Sequence, residues 1–181
     1  MTKQIENIKL TKEQKQLLEE LFSKDEEVVL NALNRIEEVG NVVFIKPLLE
    51  LYFSSLTVKA KKAVEKIFSN IKVKNVAEEV ESVVAEYKHH KEIKNIIVAL
   101  WESSINFNDL RPFCEIFVVA DEQTALEIFT LIEQNIANQS PHNNKECLNI
   151  ISSDKKHYSD FKTRLYNELE KIFNDYLPSS L

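Results

Sequence analysis

The sequence predicts an all-α chain folded as an α-solenoid of about five antiparallel helix pairs, and three observations carry that expectation. Almost every segment longer than a few residues places apolar side chains at i, i+3, i+4 and i+7, the stripe of an amphipathic helix. No stretch alternates apolar and polar residues for long enough to argue a strand. The third observation is repetition. The stripes Val29-Ala32-Leu33-Ile36, Ala60-Ala63-Val64-Ile67, Ile93-Ile96-Ile97-Leu100 and Ala125-Ile128-Phe129-Ile132 recur with a period of about 32 residues. A looser copy, Tyr158-Phe161-Leu165, follows at the next step. The preceding helices keep nearly the same period, through Leu17, Leu48, Val80, Phe113 and Cys147. One pair cannot bury its own stripe, so pairs stack and bury it between them.

The elements follow in order. Thr11 and Gln14 form a capping-box pattern ahead of Leu17, Leu18 and Leu21. Ser23 and Asp25 offer caps for the next run, and Gly40 stands where that helix would end with a positive φ. Ile45-Lys46-Pro47-Leu48-Leu49-Glu50-Leu51-Tyr52 matches Leu110-Arg111-Pro112-Phe113-Cys114-Glu115-Ile116-Phe117 class for class, two repeats later. Each Pro falls near a first helical turn, where a missing N–H costs little. The pairs are placed at about 11–39, 45–70, 75–103, 108–138 and 142–177 in one domain over 1–181. A last helix over 155–176, longer than the others, covers the open end. Ala32, Ala63, Ile96 and Ile128 are expected at one equivalent buried position, with Phe161 completing the column. Small residues early in that column imply that the first two layers approach more closely.

The Ile-Lys-Pro-Leu-Leu-Glu-Leu helix, together with an Asp-capped helix carrying Val and Ala, resembles HEAT and armadillo-like repeats. In that family the second helix opens D-x-x-V-R-x-x-A; Asp25, Val28 and Ala32 match three of its positions, and Asp121 and Asp154 recur at the cap. The Arg position holds Val29, Ala60, Ile93, Ala125 and Tyr158, so the family's Asp–Arg ladder is absent. The resemblance spans 11–177, and its step is close to the compact bacterial type. A tetratricopeptide pattern cannot be built without a suitable glycine. The resemblance implies a right-handed α-α superhelix serving as a non-enzymatic scaffold or adaptor, with a protein partner on the concave face lined by the second helix of each pair. It also brings two other functions: a HEAT-like DNA-binding or alkylpurine DNA glycosylase-type protein, and a bilin-lyase-like accessory domain. The glycosylases use a basic cleft where a Trp and an Asp meet, whereas this chain has one Trp, Trp101, and a net charge of −6. Nothing in the sequence marks a tetrapyrrole site.

The composition excludes much catalytic chemistry. Dinucleotide-binding turns, phosphate loops and nucleophile elbows all need glycines, and Gly40 is the chain's single one. Cys114 and Cys147 lack CxxC spacing and read as small core hydrophobes. His89 and His90, adjacent at the start of the third long helix among Lys88 and Lys91, point about 100° apart and read as a solvated helix start. His142 and His157 read as surface residues. Trp101 aligns with Ile36 when the two-repeat echo is extended, which favours packing. No catalytic residue, cofactor site or metal ligand is assigned. The first ten positions are polar, unlike a secretory leader. The longest apolar run, 96–101, falls far short of the roughly 20 residues that span a bilayer. The expectation is a cytoplasmic monomer or weak dimer without membrane attachment, and the acidic balance argues against nucleic acid as partner.

Charge is spread unevenly: 59–94 holds nine Lys against six Glu, while 99–153 holds Arg111 and Lys145 against eight acids. At about 100° per residue, the core stripes leave a polar strip on the opposite face of each second helix. Its residues are Glu27, Asn31, Asn34 and Glu38, then Val58, Lys62, Glu65 and Ser69, then Lys91, Asn95, Val98 and Glu102, and last Gln123, Glu127, Thr130 and Gln134. Asn31, Asn34, Lys62, Lys91, Asn95 and Val98 are its candidate partner-binding residues. The lysines supply charge, the asparagines supply hydrogen bonds, and Val98 is the one apolar anchor.

Overall fold

The structure, a computed structural model, describes residues 10–54, 56–71 and 76–177. The polar segment 1–9 and Lys72 and Lys74 of the basic stretch lie outside the described residues. The described residues contain ten α-helices and three short 3-10 turns, without a strand among them. The helices are α1 (Lys12–Leu21), α2 (Glu26–Val39), α3 (Ile45–Phe53), α4 (Val58–Ser69) and α5 (Ala77–Glu86). They continue as α6 (Ile93–Trp101), α7 (Arg111–Val119), α8 (Glu122–Asn135), α9 (Pro141–Ser152) and α10 (Asp160–Asp175).

Local chemistry sets the ends of these helices. Thr11 and Gln14 close a reciprocal capping box on α1, and Asp25 and Asp121 accept from backbone N–H groups at the starts of α2 and α8. Thr57, Ser140 and Ser159 do the same for α4, α9 and α10. Gly40 ends α2 at φ 50°, a conformation that costs a residue with Cβ.

The even-numbered helices pack consecutively, α2 on α4, α4 on α6, α6 on α8 and α8 on α10; α3, α5, α7 and α9 form a second such row. Side-chain hydrogen bonds join successive even-numbered helices. Thr57 donates to Glu26, Ser159 donates to Glu122, and Lys66 pairs with Glu37. Burial keeps the same period: Ile45, Leu48, Leu49, Leu51 and Tyr52 are buried in α3, as Leu110, Phe113, Cys114, Ile116 and Phe117 are at α7.

The fifth pair departs from the expected register. A 3-10 turn, Lys155–His157, stands where the long last helix was to begin, so α10 runs only from Asp160 and is capped by Ser159, not Asp154. The turn moves the buried stripe to Lys162, Tyr166, Leu169 and Phe173. Phe161 therefore does not complete the column: it is 37% exposed, whereas Ala32, Ile96 and Ile128 are fully buried. Ala63 is half-buried and lines an open groove. Leu100, not Trp101, occupies the place of Ile36, which leaves the indole half-buried at the stripe's edge.

Candidate functional surface

The core stripes turn the opposite sides of α2, α4, α6 and α8 to solvent, and the predicted strip lies there. Asn31, Asn34, Lys62, Lys91 and Asn95 are exposed, and Val98 is half-buried. Lys91 sits in the turn before α6 instead of within the helix. Further along, Glu65 is half-buried because the buried Tyr52 hydroxyl donates to it at 2.6 Å. Burial and this carboxylate push the Tyr52 phenol well above its ordinary range.

The lysines of the basic stretch divide into two sets. Lys61 pairs with Glu92, Lys66 with Glu37 and Lys88 with Glu115, while Lys94 donates to Gln123. Lys59, Lys62 and Lys91 make no ion pair among the described residues and are exposed. Between α2 and α4 lies a groove of about 410 Å³ lined by Glu27, Leu30, Asn31, Asn34, Lys59 and Ala63. It unites two of the six candidate residues, Asn31 and Asn34; Lys62, Lys91, Asn95 and Val98 are not among its lining. Leu30, Lys59 and Ala63 were missed by the helical-phase argument because they flank the strip instead of lying on it. The sequence signal was present in Ala63, which with Ala32 is small in a column that holds Ile96 and Ile128 later.

The remaining chemically suggestive side chains have structural partners. Trp101 Nε1 donates to Glu127 at 3.0 Å, so the indole meets a glutamate of α8. His89 and His90 lie in the turn between α5 and α6, not at a helix start. The half-buried His90 packs its ring 4.8 Å from Phe53 and accepts from the Glu92 backbone N–H. His142 and His157 are exposed beside Glu146 and Asp154. Cys114 and Cys147 are both fully buried, and burial, with Cys147 as neighbour, pushes the Cys114 thiol well up. A thiol so hard to ionise is a poor nucleophile. No group of three or more His, Cys, Asp or Glu is placed to hold a metal ion among the described residues. Nor is any helix among them long and apolar enough to cross a membrane.

Two buried charges hold the ends of α7. Glu81 of α5 accepts from the backbone N–H groups of Asn108 and Asp109 at 2.7 and 3.1 Å, just before the helix begins. Lys162 of α10 donates to the carbonyls of Val118 and Ala120 at 2.9 and 2.8 Å, where it ends. Its ammonium also lies 4.7 Å from the Tyr158 ring centre and 5.3 Å from that of Phe117. Negative charge at the N-terminal end and positive charge at the C-terminal end both oppose the helix dipole favourably. Burial lowers the Lys162 ammonium and raises the Glu81 carboxyl, the latter against its two backbone donors. At the same N-terminal end, burial acts to raise Asp109, but the Arg111 guanidinium holds it below the usual range. Arg111 also reaches Glu146 of α9 at 2.7 Å.

Both bonds to Glu81 fall on Oε1, an atom that glutamine reproduces without charge. Glu81→Ala, which strands two amide donors, is expected to cost about 1–3 kcal/mol. Glu81→Gln is expected to cost almost nothing in acid and to gain relative to the native chain as pH rises. The sign follows from linkage: a carboxyl raised by folding contributes stability below its unfolded pKa that is lost as pH climbs through the folded one. Urea titrations at acid and neutral pH measure this, and equal damage from Gln and Ala would refute it.

No protein-family model, no curated protein and no solved structure matches the chain. The class that the structure defines is an all-helical protein whose helices pack in neighbouring pairs.

Proposed function

We propose that the chain is a non-enzymatic scaffold or adaptor, a single HEAT-like domain wound as a right-handed superhelix, that holds a protein partner on a concave face lined by the even-numbered helices. The regular recurrence of the apolar stripes and the consecutive packing of equivalent helices support the architecture. One observation carries the binding reading: an exposed polar strip runs across α2, α4 and α6, and its central cations Lys62 and Lys91 have no ion-pair partner among the described residues. Their neighbours Lys61, Lys66 and Lys88 are all paired within the chain. Unpaired charge on one face orients an oppositely charged partner and speeds its encounter.

The test joins Lys62→Glu to Lys91→Glu. Against a partner recovered by affinity capture, the double variant is expected to weaken binding about tenfold at low ionic strength, where exposed charges count most. Its melting temperature is expected to stay that of the native chain. Unchanged affinity at low salt would show that the strip is not the site.

A further inference from the structure

The groove between α2 and α4 has an internal control in the next interface, between α4 and α6. One repeat on, Leu30 becomes Lys61, Asn34 becomes Glu65, Lys59 becomes Glu92 and Ala63 becomes Ile96. In the later interface these positions complete one another: Lys61 pairs with Glu92, Glu65 takes the Tyr52 hydroxyl, and Ile96 is fully buried. In the earlier one none of this happens. Leu21, one repeat before Tyr52, is buried and has no hydroxyl to offer. Lys59 faces no carboxylate that it pairs with among the described residues, and Ala63 leaves space that Ile96 closes in its own layer. The result is about 410 Å³ of open, mostly polar groove, in which Leu30 and Ala63 are the apolar lining residues, Lys59 is the cation and Glu27 the carboxylate.

The geometry points to this groove as the seat of an acidic, extended peptide segment of the partner, with a carboxylate on Lys59 and one aliphatic side chain over Leu30 and Ala63. It rests on the scaffold reading above and gives that partner a chemistry. The chain itself shows what fills such a site: at the α4–α6 interface a lysine–carboxylate pair and a branched aliphatic side chain occupy the corresponding positions. Asn31 and Asn34 each carry both donor and acceptor, which suits a peptide backbone crossing the groove. Glu27 is the one carboxylate in the lining, and Lys59 with the exposed Lys62 on the same helix outnumbers it, so local charge favours an acidic segment over a basic one. A backbone-and-anchor contact of this size matches a short linear segment better than a folded domain.

The probe is a displayed library of random dodecapeptides, panned against the full chain at low ionic strength. The expected result is enrichment of sequences with several Asp or Glu around a single Leu, Ile or Val. Binding of a synthetic selected peptide is then measured against two variants. Ala63→Ile fills the groove with the residue that the next layer uses, and Lys59→Glu reverses its cation; each is expected to weaken binding at least about tenfold. Thermal melting verifies that both variants fold, and Lys156→Glu, exposed in the 3-10 turn before α10, is expected to bind as the native chain does. Panning on Lys59→Glu is expected to shift the enriched sequences toward Lys and Arg. Several outcomes overturn the assignment: no enriched motif, a basic motif on the native chain, or a dimer that Ala63→Ile dissolves. Acidic peptides that bind Ala63→Ile normally but fail on Lys62→Glu with Lys91→Glu also overturn it while leaving the scaffold reading intact. Loss of the strip alone appears as partner binding that the groove variants weaken and that Lys62→Glu with Lys91→Glu leaves unchanged; partner binding that neither set of variants changes overturns both readings.

Discussion

A chain ending at residue 154 is expected to aggregate or to melt well below the full chain. The missing segment contributes Tyr166, Leu169 and Phe173 to the core, each essentially fully buried. Burial of side chains this large is worth about 1.5–3 kcal/mol apiece, so their loss removes a large part of a typical domain's roughly 5–15 kcal/mol. The deletion also strips the last turn of α7 of the Lys162 ammonium that satisfies the Val118 and Ala120 carbonyls. The apolar surface of α8 and α9 that α10 covers, including the region around Ile128, Phe129 and Ile132, becomes an open end without a polar cap. Size-exclusion chromatography and thermal melting decide it. Aggregation or a strongly lowered melting temperature is expected; a soluble monomer melting as the full chain does would contradict the capping role of α10.

Much of this architecture is legible in the residues because helix periodicity and repeat period reinforce each other. A stripe such as Ile93-Ile96-Ile97-Leu100 fixes one face of one helix, and its recurrence fixes the neighbour against which that face must bury. Caps are legible for the same local reason, since Thr11, Asp25 and Asp121 each bond to backbone within their own helix's first turn. The fifth pair is not legible by that route. Its stripe was aligned on the period of the earlier repeats, and the 3-10 turn at Lys155–His157 intervenes, replacing Phe161 by Lys162 at the start of the stripe. A lysine there looks polar in sequence; it is buried because α7 offers two carbonyls and the Phe117 ring, with the Tyr158 ring beside them.

The candidate surface divides in the same way. Helical phase alone places Asn31, Asn34, Lys62, Lys91 and Asn95 toward solvent, and there the structure has them. The groove depends instead on what is missing across two helices at once: the aliphatic bulk absent at Ala63, and an ion pair at Lys59, which has none among the described residues although Glu27 lines the same groove. The size of Ala63 was visible, but its consequence was not. A small residue closes a gap only where its neighbours can follow it inward; Val29, Leu33 and Val64 of the same two helices are buried, while Ala63 is half-buried and lines the groove. The His90 environment was hidden for a related reason. Phe53 belongs to α3, in the preceding helix pair, and only the packing of α3 against α5 brings the two rings together.

Ile96→Ala is expected to destabilise the chain by about 2–5 kcal/mol, the range for a large-to-small change in a closed core. Ile96 is fully buried in α6, the helix that packs on both α4 and α8, so a cavity there has neighbours on two sides that are held apart by their own contacts. The same column supplies the contrast. Ala63 occupies the equivalent position one repeat earlier and opens onto the groove, where solvent already reaches. Ala63→Ile is therefore expected to shift stability by less than about 1 kcal/mol, since the added methylenes enter open space and force no overpacking. Urea unfolding of both variants measures the difference: a lowered midpoint with an unchanged slope for Ile96→Ala, and a nearly native curve for Ala63→Ile. Equal losses from the two would mean that position 63 is as closed as position 96, and the groove would then have no room for a ligand; a negligible loss from Ile96→Ala would mean that α6 is not clamped between α4 and α8.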